Sequence, residues 1–215
     1  ASSGERRPPP PGCRPPPGWV LWRPPPARGG RFFLWRVSCR PRPGGGIRGG
    51  GPHPRLDLEA AARTLADDAR IEWYGPSMGS KSFLTARLME VWAHGQDVCD
   101  AVGASRPASD RLRHIAQLGV ITRGWSYVVR GATAPPDPVR VELTSPSGDV
   151  WVWGDEGAAD TVVGPAEDFC LVVTQRRHVD DTDLTVTGDA ARDWMVQAQA
   201  FAGGPTTGPE PRGAS

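Results

Sequence analysis

The amino-acid sequence predicts an α+β protein in which a helical part precedes a small mixed part, with a disordered segment at the N-terminus. Three observations lead to this prediction. Residues 1–54 are dominated by Pro, Arg and Gly; apolar residues recur at a helical period from about 56 to 130; and they alternate at a period of two from about 139. We therefore expect a disordered segment at 1–54, a helical bundle at 55–132, a small α+β domain at 137–201 and a flexible tail at 202–215.

The N-terminal segment differs in charge and composition from the rest of the chain. Residues 1–55 contain eleven Arg, no Lys and a single acidic residue, Glu5, although the whole chain has a formal net charge of only +1. Of these 55 residues, 36 are Pro, Gly or Arg, a composition that buries too little apolar surface to offset chain entropy. Arginine among aromatic residues and glycines is also found in nucleic-acid-binding segments, which keeps that function open as a hypothesis.

Three helices are expected in the helical part. Residues 56–71 read as an amphipathic helix, and the Gly75-Pro76 pair breaks the pattern before a second helix at about 80–102. Ser77 or Ser80 is the expected N-cap of the second helix, and Gly103 its stop signal. A third helix is predicted from 109 or 110 to 130, followed by Gly131.

The mixed part begins with a hairpin. Residues 139–143 and 150–153 alternate between apolar and polar, and the turn sequence S-P-S-G-D separates them. A short strand at 161–163 precedes a helix that opens at Gly164-Pro165, and Arg176, Arg177 and His178 are expected in its last turn, where they would suit the helix dipole. A strand at 184–187 and a helix at 189–200 complete the prediction.

The cysteines and the hydropathy exclude several classes of protein. Cys13, Cys39, Cys99 and Cys170 are scattered without C-x-x-C spacing, so neither a disulfide framework nor a cysteine zinc site is expected. No apolar run is long enough to span a bilayer, and the N-terminus lacks the continuous apolar region of a secretory signal. We expect a reduced, cytoplasmic protein that does not interact with membranes.

The second helix carries the candidate site. Glu90 and His94 are four residues apart and Asp97 follows three residues later, so the three side chains leave the same side of the helix. A solvated surface is one interpretation, and an apolar stripe roughly opposite supports it: Leu84, Leu88, Val91, Val98 and Val102. A divalent-metal site is the other, because an E-x-x-x-H pair supplies two ligands from one helix.

A family resemblance bears on this choice. The run W-Y-G-P-S-M at 73–78 and the run A-R-L-M-E-V-W-A-H-G-Q-D-V at 86–98 resemble the mycothiol-dependent maleylpyruvate isomerase-like proteins. The resemblance implies a DinB-like bundle that binds a divalent metal, usually zinc, through an early-helix His and the Glu and His of E-x-x-x-H. Glu90 and His94 match the last two ligands. The first ligand has no match here, so the bundle is expected to be incomplete and to bind metal weakly.

The metal-binding histidine of the family's early helix, which has no match in this chain, would be expected within the first 54 residues. A family member should place its first bundle helices there, yet no helical period is present. We interpret the segment as a mis-assigned start or an out-of-frame translation. His53, His114 and His178 are the other histidines, and none is assigned to the site.

The mixed part carries a resemblance of its own. The runs G-P-A-E-D-F-C-L-V-V-T-Q-R-R and V-T-G-D-A-A-R-D-W resemble the C-terminal domain of the same family, which has a sterol-carrier-like α+β fold. The family's functional arginine corresponds to Arg176, preceded by Gln175 where glycine is frequent, and Arg177 is the alternative. Both arginines could instead only complement the helix C-terminus.

The resemblance also implies a mechanism. The metal would activate the thiol of mycothiol, whose thiolate adds to the cis double bond of maleylpyruvate; rotation and elimination then leave fumarylpyruvate. Glu90 and His94 would bind the metal, Asp97 would orient His94 or join the coordination, and Arg176 would hold a carboxylate. The predicted partners are a small thiol and a small organic acid, and nucleic acid is not expected. The alternatives are a non-catalytic metal- or small-ligand-binding protein and a truncated, inactive family member.

Overall fold

The structure is a computed structural model that describes residues 54–72 and 77–213. The described residues belong to one compact unit, Gly51–Ser215. Residues 1–53, which make up all but the last residue of the segment predicted to be disordered, lie outside the described residues. His53 is among them. The nucleic-acid-binding hypothesis concerns the same residues and stays a hypothesis. In the described part of the chain, no helix is long and apolar enough to cross a membrane.

The described residues of the helical part form four helices and one very short strand pair. Helix α1 spans Pro54–Thr64, α2 spans Ser80–Val102, α3 spans Leu112–Ile121 and α4 spans Arg123–Val128. Strand β1, Arg70–Ile71, pairs antiparallel with β2, Met78–Gly79.

Helix α1 is shorter than predicted. It ends at Thr64 rather than near residue 71, because the following segment is drawn to the start of α2. The backbone N–H of Ser80 donates to the carbonyl of Ala69 at 2.9 Å, and the Ser80 hydroxyl donates to the carbonyl of Ala66 at 3.0 Å. These tertiary hydrogen bonds outweigh the helix-forming tendency of residues 65–71.

Helix α2 has the predicted bounds. Gly103 follows it with φ 64°, the left-handed conformation that glycine adopts without a steric penalty, and its N–H bonds to the carbonyls of Asp100 and Cys99. The predicted N-cap is wrong. Gly79 occupies that position without a side-chain cap, and Ser80 is the first helical residue.

The predicted third helix is divided in two. The break lies at Thr122, whose hydroxyl donates to the carbonyl of Leu118 at 2.7 Å. Such a bond from a threonine side chain to its own helix competes with the regular backbone pattern and bends the helix. Gly131 follows with φ 69°, as the stop signal predicted.

The mixed part contains one four-stranded sheet. Its strands are β3 (Val139–Thr144), β4 (Val150–Trp153), β5 (Asp160–Pro165) and β6 (Thr185–Thr187), in the spatial order β4-β3-β5-β6. The predicted hairpin is confirmed as the antiparallel pair β3 and β4, whereas β3 and β5 are parallel and β5 and β6 antiparallel. The α+β class is therefore confirmed.

Two helices accompany the sheet. Helix α5 spans Ala166–Val173 and α6 spans Asp189–Gln197, with a 3₁₀ turn, Val179–Asp181, between them. The expectation that Arg176, Arg177 and His178 lie in the last turn of α5 is wrong. The helix is followed by Thr174 and then by Gln175, whose φ of 59° reverses the chain direction, so the three side chains lie beyond the helix end.

The core is formed jointly by the helices and by one face of the sheet. Phe169 of α5 and Trp194 of α6 are fully buried and meet edge to face, with ring centroids 5.9 Å apart. The same cluster contains Met89 of α2 and Ile115 of α3, together with sheet residues Val141, Leu143, Trp151 and Val162. The predicted division into domains at 55–132 and 137–201 stays a prediction.

Candidate functional site

Helix α2 places the three predicted residues side by side. The Glu90 Oε2 atom lies 3.2 Å from His94 Nε2, and the Asp97 Oδ2 atom lies 3.1 Å from His94 Nδ1. The imidazole is therefore held between two carboxylates, one at each ring nitrogen. The His94 side chain is 68% exposed, so a ligand can reach it from solvent.

The two carboxylates lie at different ring nitrogens, so the tautomer of His94 decides which of them can accept a hydrogen bond from the ring. An ionised carboxylate can only accept hydrogen bonds, so Asp97 accepts from Nδ1 when that nitrogen carries the proton. In a neutral imidazole the other nitrogen, Nε2, then has a free lone pair facing Glu90. Glu90 and His94 Nε2 can share one ion, whereas Asp97 lies at the opposite ring nitrogen.

Arg176 reaches this site from the end of α5. Its Nε donates to Asp97 Oδ1 at 3.1 Å and its Nη2 donates to Asp97 Oδ2 at 2.9 Å, a bidentate pair between residues 79 positions apart in the chain. These hydrogen bonds lower the pKa of Asp97, and the contact with His94 acts in the same direction against the effect of burial. The structure thus brings together all four predicted site residues.

A second pair of the same kind lies beside the first. Arg177 donates from Nη1 to Asp100 Oδ2 at 2.7 Å and from Nη2 to Asp100 Oδ1 at 2.8 Å. Hydrogen bonding to Arg177 lowers the pKa of Asp100 to about 2. Asp100 was not singled out from the sequence, where the available signal was its position three residues after Asp97 on the same side of the helix.

The two other histidines in the described part of the chain, His114 and His178, make no hydrogen bond or ion pair with Glu90, His94 or Asp97 and lie on other segments. His178 accepts a hydrogen bond from the backbone N–H of Asp180 at its Nδ1 and caps the 3₁₀ turn. His114 is exposed on α3. His178 therefore has a local structural role, and His114 has a surface position.

The spacing of two donor atoms suits a metal ion. Two ligand atoms at about 2.1 Å from a tetrahedral zinc ion lie about 3.4 Å apart, close to the 3.2 Å between Glu90 Oε2 and His94 Nε2. Among residues 54–72 and 77–213, no group of three or more His, Cys, Asp or Glu side chains is arranged to hold a metal ion. The described residues therefore fit as two ligands and leave the third ligand unassigned.

The fold and this side-chain arrangement define a class: a helical segment with an E-x-x-x-H pair, followed by a small mixed sheet domain. Residues 53–99, which include α1 and most of α2, match the family model described as mycothiol maleylpyruvate isomerase N-terminal domain. The family resemblance is thereby confirmed over a segment that contains Glu90, His94 and Asp97. Residues 135–187, from β3 to β6, match a second family model, described as wyosine base formation.

Two relatives are similar in sequence to a longer part of the chain. They are the Mycobacterium tuberculosis proteins named Uncharacterized protein MT0041 and Uncharacterized protein Rv0036c, each 52% identical over 154 residues. The match covers 72% of this chain and 59% of each relative, so the chain spans less than two thirds of their length. No solved structure matches the chain.

Proposed function

We propose that Glu90 and His94 bind a divalent metal ion, zinc by family resemblance, next to which a low-molecular-weight thiol such as mycothiol is activated. The supporting observation is the convergence of Glu90 Oε2 and His94 Nε2 at 3.2 Å, within the segment that matches the isomerase family model. The reaction would be addition or transfer of the thiol to a small organic acid.

A thiol needs help to act as a nucleophile near neutral pH. A free cysteine-type thiol has a pKa of about 8.5 and is mostly protonated, and a bound divalent ion would supply the charge that deprotonates it. The chain contributes the two ligand side chains, and Asp97 keeps the imidazole ring oriented. Coordination positions that these residues leave free are open to thiol or water.

Arg176 is the proposed contact for a carboxylate of substrate or thiol cofactor. Its Nε and one Nη2 hydrogen are engaged by Asp97, and its Nη1 donates to the carbonyl of Thr174 at 2.6 Å. A guanidinium carries five N–H donors, so two remain. A carboxylate would therefore have to bind at the outer edge of the group, alongside Asp97.

Metal analysis of the purified chain tests the proposal. We expect up to one zinc ion per chain in the wild type at saturating zinc, and loss of that ion in Glu90→Ala and His94→Ala. His114→Ala is the matched control, since it removes an exposed histidine from a different helix. A wild type that binds no ion, or a His94→Ala variant that binds as well as the wild type, would contradict the proposal.

A second candidate function is non-catalytic metal or small-ligand binding. It is favoured by the 68% exposure of His94 and by the lack of a third ligand among the described residues, because zinc enzymes commonly hold the ion through three protein ligands. The two candidates differ in turnover. Thiol-dependent conversion of a maleyl compound by the metal-loaded wild type would favour the enzyme, and bound metal without such conversion would favour the binding protein.

A further inference from the structure

Residues 203–212 form a segment that crosses the protein surface after α6, here called the C-terminal strap. It contains neither helix nor strand, and its residues are exposed apart from Gly208 and Pro211, which are half-buried. Its sequence, G-G-P-T-T-G-P-E-P-R, has no Leu, Ile, Val, Met or aromatic side chain. Because the strap buries little apolar surface, its position depends on hydrogen bonds to the groups that it crosses.

The strap is attached at Thr206 to two glutamine side chains. Gln175 Nε2 donates to the Thr206 carbonyl at 3.1 Å, and the Thr206 hydroxyl donates to Gln175 Oε1. The Thr206 N–H donates to Gln199 Oε1 at 3.3 Å, and Gln199 Nε2 donates to the Gly204 carbonyl at 3.1 Å. Gln199 is only 1% exposed, so an open strap would deprive a buried amide of these partners, which favours the closed position.

A second attachment lies further along the strap. The Arg212 N–H donates to both carboxylate oxygens of Asp181, at 3.0 Å and 3.2 Å. Between the two attachments Gly208 lies over the Gln175 side chain, since a β-carbon added there would be 3.4 Å from Gln175 Cγ. The cavity between the strap and the residues beneath it measures about 10 Å³, no more than the space of a single water molecule. The strap is therefore packed directly on the protein.

The two attachments enclose the segment that contacts α2. They are made to Gln175 and Asp181, and Arg177, which forms the bidentate pair with Asp100, lies between them in the chain. Residues 175–181 are thus held both by α2 and by the strap.

We propose that the strap is a reversible latch for residues 175–181. When closed, it holds this segment in the conformation in which Arg177 reaches Asp100 on α2; when open, it leaves the segment free to separate from α2. The strap opens before the rest of the protein, because segments with exposed backbone and little buried apolar surface open most readily. The latch lets the contact between the end of α5 and α2 change without unfolding of the core, and it does not depend on the proposed metal site.

Amide hydrogen exchange of the full chain, followed by NMR, tests the latch. Three reporter amides lie in the enclosed segment: the N–H of Gln175 donates to the Val172 carbonyl at 2.9 Å, and those of Arg176 and Arg177 donate to the Leu171 carbonyl at 2.8 Å and 3.3 Å. The amides of α3, which contributes buried residues to the core, report on global unfolding.

Two pairs of variants change the strap alone. Gly208→Ala strains the closed strap, because Gly208 has φ 71°, and Gly204→Ala is its matched control, since that position has no left-handed φ and a β-carbon there meets no atom within 4 Å. Thr206→Val removes the hydroxyl that donates to Gln175 Oε1. Its control, Thr207→Val, removes a hydroxyl that makes no hydrogen bond within the described part of the chain.

We expect Gly208→Ala to speed exchange of the three reporter amides roughly 5- to 30-fold, the effect of strain at a left-handed position on the opening equilibrium. Thr206→Val should speed it roughly 2- to 10-fold, the effect of one lost hydrogen bond. The α3 amides of both variants, and all these amides of both controls, should stay within about twofold of the wild type. In the wild type, the Thr206 and Arg212 amides should exchange faster than the reporter amides.

Three results would overturn the latch. Reporter amides that are unchanged in Gly208→Ala would show that the strap does not hold the segment. An equal increase at the reporter and α3 amides, or the same increase in Gly204→Ala, would show global destabilisation or a general effect of alanine. Thr206 and Arg212 amides that exchange as slowly as those of α3 in the wild type would show that the strap does not open first.

Discussion

Gln175 is a single residue on which the geometry of the site depends. Its φ of 59° lies in the left-handed region, the only such value for a residue other than glycine in the described part of the chain. The side chain compensates for this conformation, because its Nε2 donates to the carbonyls of Ala198 at 3.0 Å and Thr206 at 3.1 Å. The backbone reversal here is what directs the next two arginines toward α2.

Replacing Gln175 separates the backbone effect from the side-chain effect. Gln175→Ala removes the hydrogen bonds and keeps the backbone conformation that a β-carbon disfavours, so we expect it to be less stable than the wild type. Gln175→Gly loses the same bonds but relieves the conformational penalty, so it should be more stable than Gln175→Ala by about 1 kcal/mol. Urea unfolding of the two variants measures this difference, and an Ala variant as stable as the Gly variant would refute it.

At the scale of elements, helix α2 buries a different face from the one its apolar stripe suggests. Met89 and Ala93 are buried, whereas Val91, Val98 and Val102 of the stripe are 67%, 63% and 69% exposed. The buried face therefore borders the Glu90 and His94 side of the helix. The site lies at the edge of a packed surface and not on the face opposite the core.

The packing of α3 against α5 is close and depends on Gly119. A β-carbon added there would lie 2.9 Å from Val173 Cγ2 and 3.0 Å from Phe169 Cε1, both in buried side chains. This absence of a side chain allows the backbone of α3 to approach α5 next to the segment that leads to Arg176. Helix α5 is consequently held in place from two sides, by α3 and by the sheet.

We predict that Gly119→Ala destabilises the protein by roughly 1–3 kcal/mol, since overpacking a filled core forces neighbouring side chains to move. Gly124→Ala in α4 is the matched control, because a β-carbon there meets no atom within 4 Å. In the control, the higher helix propensity of alanine should leave stability unchanged or raise it by up to about 1 kcal/mol. Chemical denaturation of both variants checks the pair, and a destabilised Gly124 variant would remove the packing explanation.

At the scale of the whole molecule, the helical and mixed parts are joined by polar contacts between distant residues. The Tyr127 hydroxyl donates to Asp193 Oδ2 at 2.7 Å, and the Trp125 Nε1 donates to the carbonyl of Phe201 at 3.1 Å. Burial is the main cause that raises the pKa of Tyr127, and the Asp193 contact adds to it. With the two arginine–aspartate pairs, these contacts fix the C-terminal segments against α2 and α4.

The Arg177–Asp100 pair should make part of this stability dependent on pH. The folded-state pKa of Asp100, about 2, lies below the unfolded value of about 3.9. The contribution is therefore complete above about pH 5 and is lost as the pH falls from there toward 2. Because the Asp100 side chain is 37% exposed, solvent screening limits the contribution to about 1 kcal/mol or less.

A double-mutant cycle measures this contribution. The difference in the free energy of unfolding between wild type and Asp100→Asn should be largest at pH 6–7 and should shrink toward pH 3. In an Arg177→Met background the same substitution should have little pH-dependent effect, since the partner that lowers the pKa is gone. A difference that persists unchanged at low pH in the wild-type background would exclude the pair as its source.

The sequence by itself determined the features that depend on near neighbours in the chain. The bounds of α2, the stop at Gly103, the β3–β4 hairpin and the placement of Glu90, His94 and Asp97 on one side of a helix all follow from period, turn residues and spacing. Only the tertiary structure decided that α1 ends early, that α5 ends before Arg176, and that Arg176 and Arg177 meet Asp97 and Asp100. The physical reason is the separation along the chain of the residues that interact. A helical period is set by residues a few positions apart, whereas a contact between residues 79 positions apart depends on how the helices and the sheet pack together.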